Sequence, residues 1–493
     1  MRRFGRPRAG RVGFFGSCVG LALVASLEGS ARAYDFSIDL ATIGQGYQVR
    51  GFAPTGADEL LTRRRLTQVL NLSIFDIEPA AWHGDDADRT ARNVLYFDAN
   101  LRFDSDFGGY MTGRPLGADE IRELKQSQVD VLWAFVGGRR IGGRVDFQLG
   151  RQVHYDQLDF YAFDGADVLA RINRLFAAEA FGGAEVRGEL PLSSPIYELD
   201  GTSAGSRDPA TRPAQNSQIR PLAGAAVVFG GDADAASPVQ ARLSYRRTWA
   251  GTADQLPGEP GSGVDDEKVG LTASGAIARR VFLTAGLRYN LLLASFDDEQ
   301  VAVRVRATAR QQVGLEMAYL APSFDGDSIW NVFASGAYRD LRGSYELALD
   351  PGLKLYARGF ARHYDAVDGD PTDVARWAGG GSAGAALRRR HGVVRLDGYF
   401  DGGFGGRKTG ADLSARWEMR PRSLQLEGRL TGYEWKSDQQ SATDKGVVFG
   451  VQAGGRFRLG EGTRLHLLIE DNFGSFYAAQ YRGLAVLEVD ASI

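Results

Sequence analysis

"NVLYFDANLRF", residues 93–103, sets Leu95, Phe97, Ala99, Leu101 and Phe103 on one parity and Tyr96, Asp98, Asn100 and Arg102 on the other. A period of two is that of a β-strand, whose successive side chains point to opposite faces. The fold turns on which face is wet. In a soluble sandwich the apolar face is the core; in an outer-membrane barrel it meets lipid, and the polar face lines a water-filled lumen.

The same alternation recurs along the chain. Residues 141–149, 239–246, 281–291, 301–306, 411–419 and 484–493 repeat it, with similar stretches near 36–40, 66–74, 129–136, 329–338, 393–400, 424–434, 446–458 and 463–471. Connections alternate between short ("GGRR" 137–140, "AR" 278–279, "RRRHG" 388–392, "PR" 421–422, "GEG" 460–462) and long, polar ones (51–63, 107–124, 190–218, 250–266, 362–381, 437–445). Short periplasmic turns and long extracellular loops are the habit of membrane barrels. No helix with a 3.6-residue apolar stripe is present to cover so many half-apolar strands, so lipid is their simplest partner. The expected fold class is all-β: a transmembrane antiparallel β-barrel. Direct segmentation of the alternating stretches gives about 20 strands, with about 22 reachable if every short segment counts. No separate domain precedes the first strand as a plug, which argues against the 22-stranded gated transporters.

The amino terminus fits an exported protein. Arg2, Arg3, Arg6, Arg8 and Arg11 precede an apolar run from Val12 to Leu27 and the small-x-small site Ala31-Arg32-Ala33. This reads as a cleavable signal peptide over residues 1–33, leaving 34–493 as the barrel. Cys18, the sole cysteine, falls inside that leader, so the mature chain has no disulfide. Beyond it no apolar run is long enough for a transmembrane helix. An exported chain of this kind is expected in the outer membrane of a Gram-negative cell. Without the leader the chain carries 52 basic and 60 acidic residues, formally −8, and all but six of the basic ones are arginine. Arginine's planar fork suits carboxylates, and a GC-rich genome also favours it.

Parity nominates the lumen lining. The basic candidates are Arg102, Arg144, Arg242, Arg246, Arg304, Arg306, Arg395, Arg416 and Arg429; the acidic ones include Asp98, Asp130, Asp146, Glu316, Asp397, Asp412 and Glu427. Inward charges commonly pair across strands and brace the wall, and Arg144 with Asp146 and Arg416 with Asp412 are expected to do so. Arg304 with Arg306, and Arg242 with Arg246, have no acid at the adjacent inward position. They form the candidate basic path for an anionic solute.

Signals for other chemistry are thin. Gly380-Gly381-Ser382-Ala383-Gly384 matches G-x-S-x-G without the strand–turn–helix setting that an esterase elbow needs. "GGFGGRKT" (402–409) lacks the glycine a phosphate loop requires before its lysine. His83, His154, His363, His391 and His466 show no metal-ligand spacing, and the acids at 85–88 and 365–370 read as solvated loop charge. No basic-aromatic run points to nucleic acid. Neither enzyme activity, metal nor cofactor is expected.

The stretch "VDVLWAFVGGRRIGGRVDFQLGRQVHYDQLDFYAFDGADVLARI" (129–172) resembles the alginate-export family of outer-membrane barrels. The resemblance lies in Leu149-Gly150-Arg151-Gln152 closing a strand and in Asp164-Gly165 opening the next. It implies a monomeric barrel of about 18 strands (a range of about 16–22 allowing for the segmentation) with an arginine-rich lumen. Such a barrel would pass an anionic exopolysaccharide outward, working with outer-membrane lipid and with periplasmic and inner-membrane synthesis or export proteins. The matched Gly150, Arg151, Gln152, Asp164 and Gly165 are expected to be structural. The alternative is an uptake porin for small carboxylates or other anions, using the same basic ladder in the opposite direction. An enzymatic barrel would need a Ser/His/Asp set at the membrane edge, and no such set shows; a structural or adhesive role through the long loops is a further alternative.

Overall fold

The computed structural model describes residues 35–51, 59–77, 94–106, 128–186, 220–230, 239–249, 263–321, 337–366, 376–437, 445–475 and 477–492. The expected leader at 1–33 and the acids at 85–88 lie outside them, as does the 329–336 part of one expected strand. All regular structure is β: β1 (Asp35–Gly51), β2 (Glu59–Phe75), β3 (Val94–Asp106), β4 (Gln128–Ile141), β5 (Val145–Tyr155), β6 (Phe160–Arg171) and β7 (Phe176–Glu185). Next come β8 (Pro221–Phe229), β9 (Val239–Trp249), β10 (Val264–Ile277), β11 (Val281–Asn290), β12 (Ser295–Arg306), β13 (Gln311–Leu320), β14 (Tyr338–Ala348) and β15 (Leu353–Tyr364). The ring continues with β16 (Arg376–Arg389), β17 (Gly392–Gly403), β18 (Gly406–Arg420), β19 (Leu424–Ser437), β20 (Lys445–Arg458), β21 (Thr463–Gly474) and β22 (Tyr477–Ser492).

Each strand pairs antiparallel with its sequence neighbours, and β1 closes on β22 from Ser37↔Ser492 to Gly51↔Tyr477. A closed ladder leaves no sheet edge and satisfies its backbone internally, the condition for crossing hydrocarbon with strands. Among the described residues no helix is long and apolar enough to cross a membrane.

The wet face is the inner one. On β9, outward Leu243 is 50% exposed while inward Ser244 is 2% and Arg246 6% exposed. On β3, Leu101 of the opening stretch faces out, and Asn100 and Arg102 are buried inside the ring. Leu149, Val301, Leu315, Leu396 and Leu430 continue the exposed apolar belt.

The count of 22 corrects the expected 18 or so. β7 ("FAAEAFGGAE") and β16 ("RWAGGGSAGAALRR") are too rich in small residues to alternate visibly, and β6, β8 and β15 carry apolar or aromatic groups on their inner faces. Alternation detects a strand only when its two faces differ in polarity.

Two local readings change as well. "GGRR" remains in β4, because Gly137 and Gly138 lie under the rings of Tyr96 and Phe147, where a Cβ would stand 2.4 Å from each. The reversal comes at Gly142-Gly143, whose φ values are +58° and +77°. The serine of "GGSAG" is mid-strand in β16, so it forms no elbow, and "GGFGGRKT" is the β17–β18 hairpin.

Candidate functional site in the lumen wall

Most of the predicted lumen arginines are braces. Arg102 meets Asp130 at 2.6 Å and Asp104 at 3.1 Å, Arg395 meets Asp397 at 2.6 Å, and Arg429 meets Asp412 at 2.9 Å. Arg416 therefore takes Glu427 (3.7 Å) rather than the Asp412 expected for it. Arg144 is displaced from the lumen path altogether: it lies in the β4–β5 turn, and Asp146 is held bidentately by Arg171 at 2.6 and 2.8 Å.

Arg242 and Arg246 are not an open basic patch. Arg242 forks onto both oxygens of Glu179 (2.6 and 2.8 Å), and Arg246 pairs with Asp266 at 2.5 Å while lying over the Tyr161 ring. Their acids come from β7 and β10, strands that same-strand spacing cannot reveal.

The hairpin tip at residues 156–159 accounts for their burial. It folds onto the inner faces of β9 to β11, where Asp156 lies 3.9 Å from Arg242. Asp159 reaches Lys268 at 3.4 Å and Arg288 at 3.9 Å. Leu158 is fully buried, with its side chain over Gly270, and Gln157 lies over Gly286. Beneath it, Tyr161, Phe163, Phe181 and Leu222 form an apolar cluster on what would otherwise be a wet wall. One sector of the lumen is thus filled by the barrel's own hairpin.

The opposite condition holds on β12 to β15. Arg304, Gly314, Ser344, Arg358, Ser382 and Tyr399 are successive register partners across β12 to β17, forming one row around the inner wall. They line a recess of about 660 Å³. Neither Arg304 nor Arg358 makes an ion pair among the described residues, whereas Arg342 in the next row is held by Glu316 (3.0 Å) and Asp340 (2.6 Å). The two free guanidiniums stand three strands apart, roughly 14 Å at the usual strand spacing, over a floor of Gly314 and Ser344. Arg306, paired with Arg304 in the sequence reading, lies at the short-turn rim beside Phe282 and outside the recess. Arg358 was missed because inward Tyr356 and Phe360 disguise the polar face of β15; an arginine–aromatic alternation is the signal that could have found it.

The motif positions at 150–152 and 164–165 are wall geometry. Gly150 has φ +132°, and a Cβ on it would lie 2.3 Å from the Ala134 carbonyl oxygen. Gly165, its register partner, would meet the Gly182 carbonyl oxygen at 2.1 Å. Gln152 is buried, bonding the Gln148 and Gly165 carbonyl oxygens. Arg151 and Asp164 pair bidentately at 2.8 and 2.9 Å on the outward face.

No family model and no curated protein matches the chain. Solved barrels that superpose along most of it include a BenF-like porin from Pseudomonas fluorescens Pf-5. That comparison has 9% identity, covers 93% of this chain and 99% of the other, and has a TM-score of 0.44. The outer membrane protein OpdK from Pseudomonas aeruginosa gives 12% identity, 93% and 99% coverage and a TM-score of 0.42. OccAB1 from Acinetobacter baumannii gives 7%, 95%, 99% and 0.42. At these TM-scores the likenesses carry no inference about substrate. The alginate-export resemblance is overturned: the ring has 22 strands where it implied about 18, and no family model supports it. Its matched residues are explained by a close-packed crease and an outward ion pair, features independent of what the lumen carries.

Proposed function

We propose that the chain is a passive, monomeric outer-membrane porin, residues 34–493 following a cleaved leader at 1–33, that selects small carboxylates and other small anions. The observation that supports this is the pairing state of the lumen arginines. A braced guanidinium has its donors satisfied; Arg304 and Arg358 keep theirs for a passing solute, and a guanidinium fork matches a carboxylate bidentately. Small floor residues between them leave space for the solute. The folded-in hairpin, which occupies a sector of the lumen, favours small solutes over a polymer, so the exopolysaccharide conduit and its synthesis partners are not carried forward. Selection by a charged wall without tight binding lets a solute enter and leave, as conduction requires.

The test is reversal potential in a KCl gradient, with the purified barrel in a planar bilayer. Wild type is expected to prefer anions and to be blocked by small carboxylates. Arg304→Ala/Arg358→Ala is expected to lose most of both effects. The charge-neutral control Arg407→Ala/Glu434→Ala, an ion pair outside the recess, is expected to keep them. Selectivity and block unchanged in the Arg304/Arg358 variant would sink the proposal.

A further inference from the structure

We propose that His154, Asp167 and Glu179 form a binding site for a divalent transition-metal ion, which ties the folded-in hairpin to the barrel wall. The three residues come from β5, β6 and β7, and one donor atom from each lies within 4.8 Å of the others. His154 Nε2 stands 3.6 Å from Asp167 Oδ2. Zinc–nitrogen and zinc–oxygen bonds of about 2.0–2.2 Å put tetrahedral donors roughly 3.4 Å apart, so this pair is already near the required spacing.

Three further observations point to a cation. Asp167 Oδ1 is buried with no hydrogen-bond partner among the described residues, and Asp156 Oδ2 has only Arg242, 3.9 Å away. Both residues line the same cavity, of about 450 Å³, together with His154 and Glu179. A buried carboxylate oxygen without a partner is costly, and a coordinated ion removes that cost. The charges also match: Asp156, Asp167 and Glu179 face one guanidinium, Arg242, leaving two negative charges for one divalent cation.

The surrounding contacts orient the donors. The His154 ring lies with Nδ1 3.3 Å from the Tyr161 hydroxyl; with Nδ1–H donating to that oxygen, the Nε2 lone pair faces the acids. Glu179 is fixed by Arg242, which also donates to Ser244 Oγ at 3.1 Å. The imidazole selects zinc, copper, nickel or iron over calcium and magnesium, which prefer oxygen donors alone. Because His154 and Asp167 belong to the two strands that carry the hairpin tip and Glu179 to the neighbouring wall strand, an ion here holds the base of that hairpin against the wall.

The experiment titrates Zn²⁺ into the full-length, chelator-stripped barrel in detergent, followed by calorimetry. One ion per chain is expected. His154→Ala and Asp167→Asn, with assembly checked by heat-modifiable gel mobility, are each expected to weaken binding at least about tenfold, as is Tyr161→Phe through the lost orienting contact. X-ray absorption at the zinc edge is expected to show one imidazole nitrogen among oxygen ligands. Failure of wild type to bind stoichiometrically overturns the site whether or not the variants fold. Binding undiminished in both ligand variants, or Zn²⁺ displaced by equimolar Ca²⁺, overturns it equally.

Discussion

Arg246 and Arg304 are both arginines on the lumen parity, and what stands opposite each decides its role. The Arg246 side chain is 7% exposed and that of its partner Asp266 10%. Asp266 also pairs with Lys268 at 3.1 Å, so removing Arg246 leaves the acid one cation. Arg246→Ala is therefore expected to destabilise the barrel by about 1–3 kcal/mol, the cost of the lost charge-assisted hydrogen bond, read from urea unfolding in detergent. Arg304 has no such partner, so Arg304→Ala is expected to leave the unfolding midpoint nearly unchanged and to act on selectivity. Surface-like substitutions of this kind usually stay within about 0.5 kcal/mol. Sequence parity identified both residues as inward. It could not tell them apart, because Asp266 lies twenty positions along the chain on the next strand, diagonal to Arg246, and which residues meet across strands is set by pairing.

At the scale of elements, the informative feature is the crease through β5, β6 and β7. Gly150 and Gly165 are register partners, and Gly165 in turn partners Gly183. A Cβ on Gly165 or Gly183 would lie 2.1–2.2 Å from a neighbouring carbonyl oxygen. This close approach leaves no room for a Cβ where β5 and β6, the strands that carry the hairpin tip, pack with β7. Gly165→Ala is expected to cost about 1–3 kcal/mol and to loosen the tip. Gly343→Ala on β14, where a Cβ meets nothing within 4 Å, should be neutral or mildly stabilising in the same unfolding assay. The glycines at 150 and 165 were read as structural from a motif. At both, a Cβ would stand within 2.3 Å of a neighbouring carbonyl oxygen.

Across the whole molecule, the barrel carries two unlike lumen walls. From β5 to β11 the inner face is covered by the 156–159 tip and its apolar cluster; from β12 to β17 it is open, polar and partly unpaired. Replacing residues 156–159 with an Asn-Gly turn, a sequence suited to a two-residue hairpin, is expected to raise single-channel conductance. Anion preference should remain, since Arg304 and Arg358 are untouched. Unchanged conductance would mean that the tip does not bound the conducting path.

What the sequence determined by itself is the class of object. A period of two with unlike faces, repeated along the chain and broken by alternately short and long polar connections, admits a barrel whose apolar side faces out, because each strand carries that information locally. The tertiary structure decided the number of strands, since small-residue and aromatic-lined strands have no polarity contrast to read. It also decided which arginines are braces and which are free, and it brought His154, Asp167 and Glu179 together from three strands. Those outcomes depend on register between segments, which is fixed only when backbone hydrogen bonds pair distant residues.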